Sequence, residues 1–116
     1  MKGDSLRGHL DLLVLQVVAD SPMHGYAIIE ELKRRTDQAL DLPEGTLYPV
    51  LHRLEREHLL EAHWSEVNGR RRKSYRLTRS GASALQQRRA DWTAFRSAVE
   101  SVLGHARRAV FIEGLQ

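Results

Sequence analysis

The chain has no cysteine. That excludes a disulfide framework and any thiolate-ligated zinc or iron–sulfur centre. It also lacks a long apolar run. The longest candidate, Leu12 to Ala19, spans eight residues and contains Gln16, well short of the roughly 18 residues of a membrane span. Asp4 and Asp11 interrupt the basic-then-apolar layout that a secretory signal would need. No internal repeat, low-complexity linker, serine nucleophile elbow or phosphate-binding glycine loop is present. Glu55 and Glu57 stand two apart on a predicted helix, so they do not face each other as a catalytic pair. The six histidines are His9, His24, His52, His58, His63 and His105. None repeats at metal-ligand spacing, although His58 and His63 can approach one another. The expectation is a soluble, cytoplasmic protein that is not an enzyme and has no metal and no cofactor.

What is present fits one small globular domain. The chain has 116 residues, 41% of them hydrophobic and 28% charged. Residues 6–19 predict a helix with Leu6, Leu10, Leu13, Val14, Val17 and Val18 on one face. Leu12 and Leu15 lie off that face, so the helix is apolar nearly all round and calls for burial on two sides, the second being another subunit. Residues 24–35 predict a second helix whose core face is Ile28, Ile29 and Leu32. Thr36 to Leu40 is a polar connector. Residues 42–57 predict a third helix, with Asp41 and Glu44 at capping-box spacing and Leu47, Val50, Leu51 and Leu54 facing inward. Pro49 would distort its first turns.

The apolar period then changes to two. Leu59 to Val67 and Arg70 to Leu77 flank Asn68-Gly69, the strongest short-range hairpin signal, because a type I′ turn needs positive φ at both central residues. Trp64 is expected on a strand and in the core. Thr78 can cap a long helix over residues 79–108. On a heptad frame, Leu85, Trp92, Val99 and Ala106 take one seam position, and Gly81, Arg88, Phe95, Val102 and Ala109 the other. Such a seam argues for a partner chain. The predicted fold is mainly α with a two-stranded β-hairpin: a winged helix-turn-helix over residues 1–78 and a C-terminal dimerisation helix and tail over residues 79–116.

Charge placement says more than the net charge of +3. Residues 68–79 hold six basic side chains and no acid, whereas the other 104 residues carry fifteen acids against twelve bases. Four consecutive cations at a hairpin tip repel one another unless an external anion compensates, and duplex DNA supplies one charge per ~1.7 Å of axis. The third helix presents Gly45, Pro49, His52 and Arg56 opposite its core stripe, flanked by Thr46, Tyr48 and Arg53. Thr46 and Tyr48 can donate to phosphates, and His52 or Arg53 to guanine. The candidate DNA-binding residues are therefore Thr46, Tyr48, Pro49, His52, Arg53, Arg70, Arg71, Arg72, Lys73 and Tyr75. Leu10, Leu13, Val14, Trp92, Phe95 and Val99 are the candidate dimer interface. Trp92 serves there either as a bulky anchor or as the wall of a pocket for a flat aromatic effector.

The run Leu42-Pro-Glu-Gly-Thr-Leu-Tyr-Pro-Val-Leu-His-Arg-Leu-Glu, followed by Trp64, by Gly69-Arg-Arg-Arg-Lys-Ser-Tyr-Arg-Leu-Thr and by Gly81, resembles the PadR family of bacterial transcriptional regulators. Leu6-Arg7-Gly8 and His24-Gly25-Tyr26 fit the same pattern, so the resemblance spans about residues 5–103. It implies a homodimeric winged-helix repressor of double-stranded DNA, with Glu44 to Pro49 on the recognition helix and the hairpin as wing. It further implies a C-terminal helix packed against the first helix of the other subunit, and an effector pocket at that interface. The short C-terminal segment resembles the smaller subfamily. Two other readings remain open at this stage: a small-molecule or metal-sensing dimer with a different output, and a protein-interaction module built on the same scaffold.

Overall fold

Residue spacing and local stereochemistry account for most of the secondary structure. A computed structural model describes the backbone of residues 3–114 and the side chains of residues 8–104. Leu6, Arg7, His105, Ala106 and Ala109, to which the sequence assigns roles, have side chains outside the described residues. The order is α1 (Gly3–Asp20), β1 (Met23–His24), α2 (Gly25–Arg35), α3 (Glu44–Arg56), β2 (Leu60–Val67), β3 (Arg70–Leu77) and α4 (Arg79–Gly114). The fold is thus four helices with a small antiparallel sheet. That sheet has three strands in the order β1-β3-β2, one more than the expected hairpin. β1 is only two residues long, pairing Met23 with Tyr75 and His24 with Ser74, too short to leave a period in the sequence.

The inward stripes close one core. Val14, Leu15, Val17 and Val18 of α1 meet Ile28 and Leu32 of α2, and Leu47, Leu51 and Leu54 of α3, all nearly inaccessible. Both Val14 and Leu15 are 0% exposed. The all-round apolar character of α1 is therefore satisfied largely within the chain, because α2, α3, β3 and α4 all pack around it. Val14 is a core residue and not part of a subunit interface. Leu10, Leu12 and Leu13 are half-buried.

Helix ends follow local chemistry. His24 caps α2: its Nδ1 accepts a hydrogen bond from the Ala27 N–H at 3.3 Å. The α3 capping box does not form. α3 begins at Glu44 with Pro43 at the cap position and no side-chain cap. Pro43 biases Leu42 away from the helical region, so Asp41 lies too far upstream. The Thr46 and Leu47 amides bond the Pro43 carbonyl instead, at 3.0 and 3.1 Å, and Glu44 complements the helix dipole in the first turn. α3 ends in a Schellman motif: Leu59 N–H bonds the Leu54 carbonyl and His58 N–H the Glu55 carbonyl. His58 takes the left-handed conformation (φ 61°) that this motif needs. Asn68 (φ 54°) and Gly69 (φ 76°) form the expected tight turn. Thr78 caps α4 through a bond accepted from Gly81 N–H at 2.9 Å.

Gly81 and Arg88 do not serve the α4 seam. Gly81 is buried where α4 crosses the chain, and a Cβ there would run into the Leu59 carbonyl. Arg88 turns inward: its Nη2 donates to Asp11 Oδ2 at 3.1 Å. Asp11 is 1% exposed. Arg53 of α3 reaches the same carboxylate with both terminal nitrogens, Nη1 to Oδ2 at 3.1 Å and Nη2 to Oδ1. One buried carboxylate thus joins α1, α3 and α4.

The α2 cap has a consequence for pH. Nδ1 of His24 accepts a proton-mediated bond only when the ring is neutral. Burial, and secondarily the charge of Arg72, hold its pKa below the ordinary 6.5. A depressed folded-state pKa means the unfolded chain binds the proton more readily, so this stabilisation is complete above that ordinary value and is lost as pH falls below it. His24→Asn keeps a capping acceptor and removes the titration. In urea melts between neutral pH and about pH 5, the His24→Asn chain should lose less stability than the parent; equal slopes would rule out the cap as the source.

Candidate nucleic-acid interface

α2, the connector and α3 form a helix-turn-helix, and β2–β3 project beside α3 as a wing. The core stripe of α3 leaves Gly45, Thr46, Pro49, His52 and Arg56 exposed on its opposite side. Pro49 sits within the helix and cannot donate the bond that the Gly45 carbonyl would otherwise receive. That carbonyl is an acceptor on the exposed face. Tyr48 is half-buried and packs over the start of α2. A Cβ on Gly25 would sit 2.7 Å from the Tyr48 hydroxyl, so only glycine admits the tyrosine there. The Tyr48 and His52 rings lie 6.4 Å apart. Thr46, Tyr48, Pro49 and His52 therefore form one surface from the first turn of α3 to its middle.

Arg53 does not join them. It is the third helix's ion-pair residue, held by Asp11 and by Glu57 at 3.1 Å. Those bonds raise its pKa. A guanidinium committed to a buried carboxylate 42 residues away is a support for α3 and not a base-reading group.

The wing divides its cations into two sets. Lys73 Nζ bonds Glu55 of α3 at 2.9 Å, which raises the lysine pKa and ties the wing to α3. Arg76 pairs with Glu61 across the strands at 3.2 Å. Arg70, Arg71 and Arg72 are exposed, and among the described residues no carboxylate lies within ion-pair distance of them. Tyr75 is not a surface phenol. It is 2% exposed, part of the core, with Lys73 Nζ 5.4 Å above its ring, and burial pushes its pKa up.

Two exposed aromatics escaped the sequence reading. Tyr26, 57% exposed at the start of α2, stacks on His24 with ring centroids 6.5 Å apart. Its place after the α2 cap was a usable signal. Trp64, expected in the core, is 52% exposed because the core ends one strand step before it. On α4, Trp92 is 41% exposed, Phe95 and Val99 are half-buried, and Val102 and Leu103 are largely exposed. His9 of α1 meets Trp92 edge-on at 5.5 Å and stacks on Phe95 at 6.0 Å. The α4 seam from Trp92 onward is thus an open apolar strip, whereas Leu85 is already in the core.

A profile of the transcriptional regulator PadR-like family matches residues 14–87. The chain is 32% identical to an uncharacterized protein of Lysinibacillus sphaericus over 117 aligned positions, covering 100% of this chain and 99% of that one. It is 38% identical to the transcriptional regulator Rv3488 of Mycobacterium tuberculosis, covering 84% and 86% of the two chains. A crystal structure of a PadR family transcriptional regulator from Eggerthella lenta superposes with a TM-score of 0.73 at 34% identity, covering 84% of this chain and 85% of that one. Motif order, fold and whole-length similarity agree: the chain belongs to the PadR-like family of transcriptional regulators.

Proposed function

We propose that the protein is a cytoplasmic repressor that binds a palindromic double-stranded operator as a homodimer. The observation that carries this reading is the row of uncompensated arginines, Arg70, Arg71 and Arg72, on a wing that Lys73 fastens to α3. Residues 1–78 form the DNA-binding part, and residues 79–116 the dimerisation helix and tail. Thr46, Tyr48, Pro49 and His52 enter the major groove, where Thr46 and Tyr48 donate to phosphates and His52 to a base edge. The three arginines lie along the backbone, where each neutralised phosphate releases counterions.

The second copy covers the apolar strip that begins at Trp92. Exposed Trp92, half-buried Phe95 and Val99, and exposed Val102 follow one another at spacings of three and four along α4, which suits a coiled-coil-like contact, with Leu10 and Leu13 of α1 at its margin. Two recognition helices then sit about one DNA turn apart, roughly 34 Å. The aromatic cluster of His9, Trp92 and Phe95 lies on this same face and offers a flat aromatic effector a stacking wall. An effector that favours one head separation over another shifts the population away from the DNA-binding form.

Replacing Arg70, Arg71 and Arg72 together by Ala should weaken binding to every sequence and lower the salt slope by roughly 2–3 units. Fluorescence anisotropy of a labelled palindromic duplex across a salt series measures both. A loss confined to one sequence, or an unchanged slope, would contradict the phosphate role. For the effector, planar aromatic compounds such as acridine should quench tryptophan emission and release the duplex, and Trp92→Ala should remove both responses. Full retention of both in that variant would make Trp92 an interface anchor alone.

A further inference from the structure

The two-residue period of β2 places Leu60, Ala62, Trp64 and Glu66 on one face of the wing. Their partners across the ladder are Leu77, Tyr75, Lys73 and Arg71. The base of this face closes the core, with Leu60 and Tyr75 each 2% exposed. Trp64 is the next step out and stands 52% exposed, so most of the burial an indole can gain is not realised in the free protein.

Its ring carries cations instead. The Arg71 guanidinium lies 4.6 Å from the ring centroid, and Lys73 Nζ lies 5.9 Å from it. Lys73 is anchored at 2.9 Å by Glu55 of α3. Arg71 has no carboxylate within ion-pair distance among the described residues. The indole is therefore a platform fixed between the recognition helix and the wing tip, and one of the two cations it supports is uncompensated. An apolar surface bordered by an unpaired guanidinium suits a partner that alternates anionic and apolar groups. The sugar–phosphate backbone does so at every nucleotide. A protein partner would have to bring both an acidic group and an apolar one to the same spot, next to three arginines.

We propose that Trp64 is a DNA-contacting residue: its solvent-exposed part packs on deoxyribose beside the wing, while its covered face holds Arg71 in position for the adjacent phosphate. This rests on the DNA-binding reading above. The chain has two tryptophans, so the part of the unaltered protein's emission change that is absent from Trp64→Phe reports on Trp64.

The unaltered protein and Trp64→Phe are each titrated with a short labelled duplex of mixed sequence at low salt, following tryptophan emission and label anisotropy together. Trp64 emission should change in step with anisotropy. In the otherwise unaltered protein, Trp64→Ala should weaken binding about tenfold, and Trp64→Phe should restore most of the loss, because a phenyl ring still supports Arg71. Circular dichroism melts should show both variants folded, since the indole is outside the core. Normal anisotropy with unchanged Trp64 emission, and parental affinity for Trp64→Ala, would overturn this role and leave DNA binding intact. No anisotropy rise for the parent would overturn both.

Discussion

The position of α3 rests on one buried carboxylate. Asp11 lies on α1, is 1% exposed, and is shared by Arg53 of α3 and Arg88 of α4. Taking such ions out of water costs several kcal/mol each, and only good geometry with several hydrogen bonds offsets it. An apolar cluster would hold the helices together at least as well. What a charged triad adds is direction: the carboxylate is satisfied only when both guanidiniums arrive at set angles. We take this as the reason a charge stands at the centre of three helices. Its place is also consequential. Arg53 lies one residue after His52 on the exposed face of α3, and Arg88 lies one turn before Trp92 on α4. The triad thus links α3, which carries the face read as a DNA surface, to α4, which carries the face read as an effector and dimer surface.

The same division between held and free charge organises the wing. Lys73 and Arg76 are paired with Glu55 and Glu61, so they shape the hairpin and fasten it to α3. Arg70, Arg71 and Arg72 have no such partner among the described residues. The basic run is therefore two populations, and its formal charge overstates the charge that is not internally paired. The tight Asn68-Gly69 turn keeps the free set together at one end.

Patterns carried by several residues were legible in the sequence. The stripes of α2 and α3, the hairpin turn and the Thr78 cap all depend on neighbours within a few positions, and the structure has each of them. The misread residues depend on partners far along the chain or on where the core stops. Arg53 was read as a base contact because nothing local shows Asp11. Tyr75 and Val14 alternate or repeat as surface and core residues both do, and only packing separates the cases. Trp64 sits on the inward face as its period requires, but the period does not say how far the core extends. The Asp41 cap failed for a local reason, since Pro43 restricts the residue before it. β1 was missed because two residues cannot display a period.

We take the Asp11 triad to set the pose of α3, and with it the separation of the two reading heads in the proposed dimer. The chain's lack of cysteine makes a direct test clean. His52→Cys places a spin label on the exposed face of α3, and pulsed electron–electron resonance reads the distance between the two copies. One narrow distribution near one DNA turn, roughly 34 Å, is expected, and a broader or shifted one when Asp11→Asn is added with helical content unchanged. An equally narrow distribution at the same distance in the Asp11→Asn protein would contradict it.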